Sequence, residues 1–345
     1  MKTFLFSDLH LKEDNLQECK EIIDQGIEKS EELKVREWIF LGDMFVNRSA
    51  QKLAVLLCFS EILKKLEDHK IKLYAIPGNH DKTDLESELN YLGLFKNSNF
   101  LLSSEEDVYL NDNGTKWYFL PYFKENGSLI GRLNVLQEEA SNGERGKYLF
   151  MHSAVNGIKN NDGTLVKDGL QQGLFSSFSK VFVGHYHNYC KLTNKITYIG
   201  SVKPHNYGED NDKGFWLFDD KDGEITRIPI NFKKYIKVVL DLDVRNKIFI
   251  ETMRKKFANS TNNIRFIFQG TEDQLAMIDK NMFEDVGIEV KKENKNVVRS
   301  LQLLEEVGTI RFDNKSIMKN FIQYCAINKV QSEQRQIAMN YFKML

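Results

Sequence analysis

Several things are scarce in this chain of 345 residues. Its four cysteines, Cys19, Cys58, Cys190 and Cys325, lie far apart with no Cys-x-x-Cys spacing. That excludes a disulfide framework and reads as small buried hydrophobes in a reducing compartment. No apolar run approaches the length of a membrane span, and Met1 passes directly into an apolar segment and then Asp8, leaving no room for a secretory leader. A cytoplasmic location follows as the expectation, with no membrane partner. The net charge is only −1, so the chain as a whole lacks the basic excess of a non-specific DNA binder. There is no GxxxxGK[ST] phosphate loop, no repeat of solenoid period and no low-complexity tract.

The charge is unevenly spread. Residues 230 to 300 carry +4 and residues 301 to 345 carry +2, which leaves −7 on residues 1 to 229. The acidic excess therefore lies in the first two thirds. The mild basic bias that follows fits either a solvated surface or a polyanion contact.

What the chain has in place of those features is one pattern repeated five times: a short apolar segment running straight into polar chemistry. The segments are FLFSDLH at Phe4 to His10, WIFLGDMF at Trp38 to Phe45, LYAIPGNHD at Leu73 to Asp81, YLFMHS at Tyr148 to Ser153, and VFVGHYH at Val181 to His187. In open α/β sheets the ligand site lies beyond the carboxyl ends of the strands, so polar residues placed there converge on one crevice. Six of the seven histidines lie in or near these runs, and only His69 sits in a plainly helical context.

Between the runs, Asn15 to Glu32 and Lys52 to Asp68 have helical apolar spacing, the second through Leu53, Leu56, Leu57, Phe59, Ile62, Leu63 and Leu66. They read as crossover helices with core-facing stripes. From Lys116 onward short strands dominate, with a helix at about Ile130 to Ala140. Two sheets back to back, each covered by helices, would account for this order: a four-layer αββα sandwich of the α/β (α+β) class. Around Ile230 to Tyr235 the pattern leaves this core. A small α/β cap follows, with strands at Ile236 to Leu242, Ile264 to Phe268 and Ile288 to Lys291, and helices at Val244 to Phe257 and Glu272 to Phe283. Lys291 to Lys295, KKENK, reads as a polar linker. The helical pair Asn314 to Asn328 and Ser332 to Leu345 closes the chain. The expected domains are thus 1–232, 233–295 and 296–345.

Taken singly, most of the polar motifs are weak. Asp8 and His10, two apart at a strand end, can share a cation, but a cap and a loop histidine would look the same. In Gly42-Asp43 the glycine permits a sharp turn and the carboxylate can bridge two ions with its two oxygens, although turn aspartates are common. Gly78-Asn79-His80-Asp81 is more specific. Asn79 would offer an amide oxygen to a metal while His80 would face a substrate phosphate, and Asp81 would fix the tautomer of that imidazole. His152 follows one apolar run, and His185 with His187 follows another. Imidazole, amide and carboxylate together favour a transition-metal pair over an all-oxygen Mg or Ca site.

In this order the motifs DxH, GD, GNHD, H and GHxH resemble the calcineurin-like metallophosphoesterase superfamily over about residues 1 to 230. Within it the chain resembles SbcD-type nuclease subunits of DNA double-strand-break repair complexes, and especially the short recombination nuclease subunits of large tailed phages. MHSAVNG at Met151 to Gly157 and YIGSVKPHNYGEDNDKGFWLFD at Tyr198 to Asp219 support that narrower match. It implies a location in the host cytoplasm if the gene is a phage's. It also implies one metal held by Asp8, His10 and His187, a second by Asn79, His152 and His185, and Asp43 between them. His80 would act on the leaving oxygen, with Asp81 behind it. Mn is the favoured metal, with Fe, Zn or Mg as alternatives. The implied partners are DNA, bound partly through cap lysines, and an SbcC-like coiled-coil ATPase docked on the C-terminal helices. A homodimer within a heterotetramer is implied as well. A metallophosphoesterase acting on nucleotides or phosphoproteins is the alternative activity. One departure is plain: Met44, Phe45 and Val46 stand after Asp43 where the family often has LFD. The GDxxDRG form of protein phosphatases is also missing, which counts against that branch.

Overall fold

The computed structural model describes residues 1–111, 113–141, 146–160 and 164–295, together with Phe321 and Cys325. The first strand, β1 (Lys2–Phe6), shows how the layers arise. Its side chains alternate: Phe4 and Phe6 enter a cluster with helical residues, whereas Leu5 joins a cluster shared with another sheet. A strand buried on both faces has to lie between two layers.

The following elements are α1 (Leu16–Glu32), β2 (Glu37–Phe40), α2 (Leu53–Asp68), β3 (Lys72–Ala75), β4 (Phe100–Leu102), β5 (Asp107–Leu110), β6 (Lys116–Leu120), α3 (Leu129–Ser141), β7 (Lys147–His152), β8 (Lys180–Gly184), β9 (Cys190–Lys191), β10 (Ile196–Tyr198), β11 (Gly214–Asp219) and β12 (Glu224–Pro229). One six-stranded sheet has the order β12-β11-β1-β2-β3-β4, the other β5-β6-β7-β8-β10-β9. β1, β2, β3 and β4 run parallel, as do β6, β7 and β8. Leu5, Ile39 and Tyr74 from the first sheet meet Trp117, Phe119, Phe150 and Phe182 from the second. On the far face of the first sheet, Ile22, Ile23, Phe59 and Ile62 of α1 and α2 cover Phe4, Phe6, Trp38 and Phe40. On the far face of the second, Leu129, Leu133 and Leu136 of α3 cover Tyr118, Leu149 and Val181. The result is the four-layer αββα sandwich expected from the sequence.

Two local expectations are corrected. Leu53 and Leu57, counted in the core stripe of α2, are 70% and 54% exposed. They lie one turn apart on an outer face, while Val55, Cys58, Phe59, Ile62 and Leu66 form the buried one. Strands β4 and β5 were not anticipated, being only three and four residues long.

The chain divides into two compact units, Met1–Tyr235 and Ile236–Leu345. In the second, β13 (Tyr235–Asp241), which starts on the last residue of the first unit, β14 (Asn263–Gly270) and β15 (Ile288–Asn294) form one sheet in that order. α4 (Lys247–Phe257), α5 (Glu272–Ala276) and α6 (Asn281–Glu284) complete it. The single helix expected at Glu272 to Phe283 is therefore two short ones. The segment read as a linker is mostly strand, since Lys291 to Asn294 pair in register with Ile267 to Gly270. Charged residues suit an edge strand, where one side faces water. The helices expected at Asn314 to Asn328 and Ser332 to Leu345 lie outside the described residues, apart from Phe321 and Cys325, both helical. No helix among the described residues is long and apolar enough to cross a membrane.

Candidate metal centre

Because β1, β2 and β3 are parallel, their carboxyl ends lie together, and so do those of β7 and β8. Asp8, His10, Asp43, Asn79, His185 and His187 follow those ends, and His152 is the last residue of β7. Four of them, Asp8, His10, Asp43 and His185, have φ values between 51° and 86°, in the left-handed region that costs a non-glycine residue about 1–3 kcal/mol. Backbone bonds hold each one there. The Asp8 N–H donates to the Gly42 carbonyl at 2.9 Å, His10 to Asp43 at 3.2 Å, and His185 to the Asp8 carboxylate at 3.2 Å. The Asp43 N–H donates to the Asp81 carboxylate at 2.9 Å.

The side chains form two clusters: Asp8 with His10 and His187, and Asp43 with His152 and His185. Hydrogen bonds fix which ring nitrogens carry protons. In the first cluster, His10 Nδ1–H donates to the Phe45 carbonyl at 3.1 Å and His187 Nδ1–H to Glu209 at 2.8 Å. Both Nε2 atoms are then bare lone pairs, and they face each other at 3.2 Å. In the second, His152 Nδ1–H donates to the Leu41 carbonyl at 2.6 Å. Its Nε2 faces the Asn79 amide oxygen at 3.1 Å, His185 Nδ1 at 3.3 Å and Asp43 Oδ2 at 3.5 Å, and His185 Nδ1 lies 3.0 Å from the same Asn79 oxygen. The buried Asp8 Oδ1 has no hydrogen-bond partner. In the first cluster, where both imidazole protons are committed elsewhere, these acceptors turned toward one another repel unless a positive charge lies among them.

Electrostatics agree. Burial lowers His10, and it lowers His185 to about 4, so both stay neutral and ready to ligate. Burial would do the same to His152, but the Asp43 carboxylate overrides it and raises that imidazole to about 9, so an ion entering there would displace its proton. Such a pocket draws in a positive charge. The donor set of imidazole nitrogens, carboxylates and one amide oxygen fits two divalent transition-metal ions.

Asp43 lies between the clusters, but not as its two oxygens suggested. Oδ1 is taken by the His80 N–H at 2.8 Å. Oδ2 alone faces both sides, 3.8 Å from His10 Nε2 and 3.5 Å from His152 Nε2. Gly78 permits this arrangement, because a Cβ there would lie 2.5 Å from the Asp43 nitrogen and 2.9 Å from its Cγ.

His80 and Asp81 also depart from expectation. Asp81 does not hold the His80 ring. Its carboxylate accepts the backbone N–H groups of Asp43, Met44, Phe45 and Gly78 at 2.9 to 3.2 Å, tying the GD loop to the GNHD loop. The His80 tautomer is set by the Val46 carbonyl, which accepts from Nδ1 at 2.6 Å. A backbone oxygen needs no acidic side chain, so Val46 can replace the usual Asp. His80, His10, His187, His205, Lys12, Lys203 and Tyr235 line a cavity of about 290 Å³.

Three residues that contact the proposed ligands or their supports are not singled out by the sequence. Glu209 is buried and accepts from His187 Nδ1, Asn206 Nδ2 at 2.7 Å and the His205 N–H at 3.2 Å. Burial pushes its carboxyl up, but His187 and Lys213 hold it below the usual range. Lys213, also buried, lies 3.6 Å from Glu209. His205 donates from Nε2 to the Asp8 carbonyl at 2.8 Å and packs its ring 4.8 Å from that of His10. The seventh histidine, His69, is remote from the centre and pairs with Glu31 at 2.8 Å.

The family model for calcineurin-like phosphoesterases matches residues 1–217. Exonuclease subunit 1 of Enterobacteria phage T4 is 30% identical over 220 residues, 61% of this chain and 60% of that protein. The chain thus spans about 60% of the length of that relative. Among solved structures, TT1561 of Thermus thermophilus covers 65% of this chain and 96% of its own at 11% identity, with a TM-score of 0.42.

Proposed function

The chain belongs to the calcineurin-like phosphoesterase family, and from that premise we propose that it hydrolyses DNA phosphodiesters at a two-metal centre. The observation that carries the reading is Asp43 Oδ2, held between two clusters of inward-facing acceptors. Asp8, His10 and His187 would hold one ion, and Asn79, His152 and His185 the other. Ions there would polarise the phosphoryl oxygens and make a bound water acidic, with Mn the favoured metal.

The residues of the chain do the rest. Lys12 and Lys203 line the 290 Å³ cavity, each paired with a carboxylate, Asp14 at 3.1 Å and Glu18 at 3.3 Å, from which a phosphate would draw them. His80, with Nδ1–H committed to Val46, presents Nε2 to the same cavity, where its protonated form would donate to the leaving oxygen. Asp81 acts at one remove, by holding the two loops together.

DNA as substrate is supported by the T4 relative, named an exonuclease subunit. The word subunit supports a partner, for which we propose an SbcC-like ATPase docked on residues 296–345. A homodimer is supported by the exposed Leu53, Leu57, Leu89 and Leu94, 54% to 83% accessible. The cap, proposed as residues 233–295, gives weaker support for DNA contact than its composition implied. Arg254 pairs with Glu251, Lys291 with Glu293, and Lys292 donates to the Ile278 carbonyl. That leaves Lys233, Lys237 and Lys255 as the better candidates.

The deciding assay compares Mn-dependent cleavage of linear duplex DNA with hydrolysis of mononucleotides and an aryl phosphodiester. Preferential DNA cleavage is expected. Turnover of the small substrates alone would replace the nuclease with a nucleotide phosphoesterase.

A further inference from the structure

The segment after β8 has two faces. His185 and His187 turn toward the metal centre, while Tyr186, Asn188 and Tyr189 line a second cavity of about 480 Å³ together with Lys159 and Asn160. The two sites are adjacent, since the Tyr186 ring stands edge-on to His185 with centroids 5.1 Å apart. Tyr186 is braced from the other direction by Tyr198, at 5.4 Å and 89°.

The chemistry of this cavity differs from that of the metal centre. Tyr189 is 42% exposed yet held in place, its ring stacked on Trp216 at 4.6 Å and 25°. Trp216 is fixed in turn by its indole N–H, which donates to the Ile199 carbonyl at 2.7 Å. A rigid ring with one face open is a stacking platform. Asn188 is likewise anchored: its amide oxygen accepts from the Asp210 N–H and Lys213 Nζ, both at 3.1 Å, which leaves its NH2 group to donate elsewhere. Lys159 adds a cation. An aromatic platform, an oriented amide donor and a cation together suit a planar heterocycle attached to a phosphate.

We propose that this cavity is a nucleobase subsite, receiving a base of the substrate strand about one or two nucleotides from the phosphate at the metal centre. The proposal rests on the nuclease reading above. It assigns Tyr189 as the stacking residue, Asn188 as the donor to the base edge, and Lys159 as the partner of the adjoining phosphate. Sequence tolerance is expected, because every base has a π face.

The test uses the metal-loaded chain and its Tyr189→Ala, Tyr189→Phe and Lys159→Ala variants. On a single-stranded oligonucleotide, Tyr189→Ala should raise KM about tenfold, the scale of one lost base–aromatic stack, while kcat changes little. Tyr189→Phe keeps the platform and should restore KM. An aryl phosphodiester too short to reach the cavity should be hydrolysed by Tyr189→Ala as by wild type. In parallel, an oligonucleotide with 2-aminopurine near the cleaved bond should be quenched on binding to wild type and less so on Tyr189→Ala. Equal KM and equal quenching in wild type and Tyr189→Ala would overturn the subsite and leave the nuclease reading standing. If the aryl diester is hydrolysed but no oligonucleotide is cut or quenched, the DNA reading and the subsite fall together. If neither substrate is cut, the quenching alone decides the subsite.

Discussion

Glu209→Gln should weaken one metal site and spare the other. In the native protein the carboxylate accepts from His187 Nδ1 at 2.8 Å, which aims Nε2 of that ring at the Asp8 and His10 cluster. Glutamine keeps the volume and an acceptor oxygen but removes the charge that makes the imidazole a stronger donor to a cation. Losing such outer support costs about 10- to 100-fold in metal affinity, or about 1.4–2.8 kcal/mol. The buried Lys213 loses its nearest carboxylate, but it still donates to the His187 carbonyl and to Asn188, so collapse of the fold is not expected. Calorimetric titration of metal into wild type and variant reads the effect directly. One class of site should weaken, and the class built on Asn79, His152 and His185 should keep its affinity. Equal weakening of both sites, or no change in either, would refute the positioning role.

Other perturbations test other parts of the site. His80→Ala should retain both metals by elemental analysis while kcat falls about 10²- to 10⁴-fold, because that ring faces the cavity beside His10 and belongs to neither ligand cluster; loss of metal would reassign it. Gly78→Ala should push Asp43 aside and destabilise the chain by about 1–3 kcal/mol with loss of metal binding, and an unchanged melting temperature and metal titration would show that the close approach can relax. The wholly buried Lys82 donates to the Tyr122 carbonyl at 2.6 Å, and burial, followed by Arg132, lowers its pKa from 10.5 to about 8. Between those values the unfolded chain binds more protons than the folded one, so denaturant-measured stability should rise from about pH 8 to pH 10 by up to about 3 kcal/mol. Lys82→Met should remove that rise, and a flat wild-type profile would contradict the shift.

The sandwich and the gathering of the proposed ligands in one crevice were legible in the sequence because both rest on short-range pattern. Each apolar run ends within a few residues of its Asp, Asn or His, and parallel pairing brings those ends together. What was not legible depends on contacts between distant segments. Glu209 stands 22 residues from His187 in a polar loop rich in acidic residues, where nothing local separates it from a solvated side chain. The Val46 carbonyl that orients His80 is backbone, so no residue type announces it. Asp81 looked like the partner of its neighbour in sequence. Its position beneath two loops instead lets it collect four N–H groups that would otherwise be buried without acceptors. Composition also misread Lys291 to Asn294, since an edge strand tolerates the same charges as a linker.

The central claim is that two ions, shared through Asp43, are needed to cut DNA. The most direct measurement follows the initial rate of DNA cleavage by metal-stripped chain as Mn is added by equivalents, at chain concentrations well above the dissociation constants. The account predicts a rate that keeps rising past one equivalent and saturates near two. Saturation at one equivalent, or no cleavage at any Mn concentration, would contradict it.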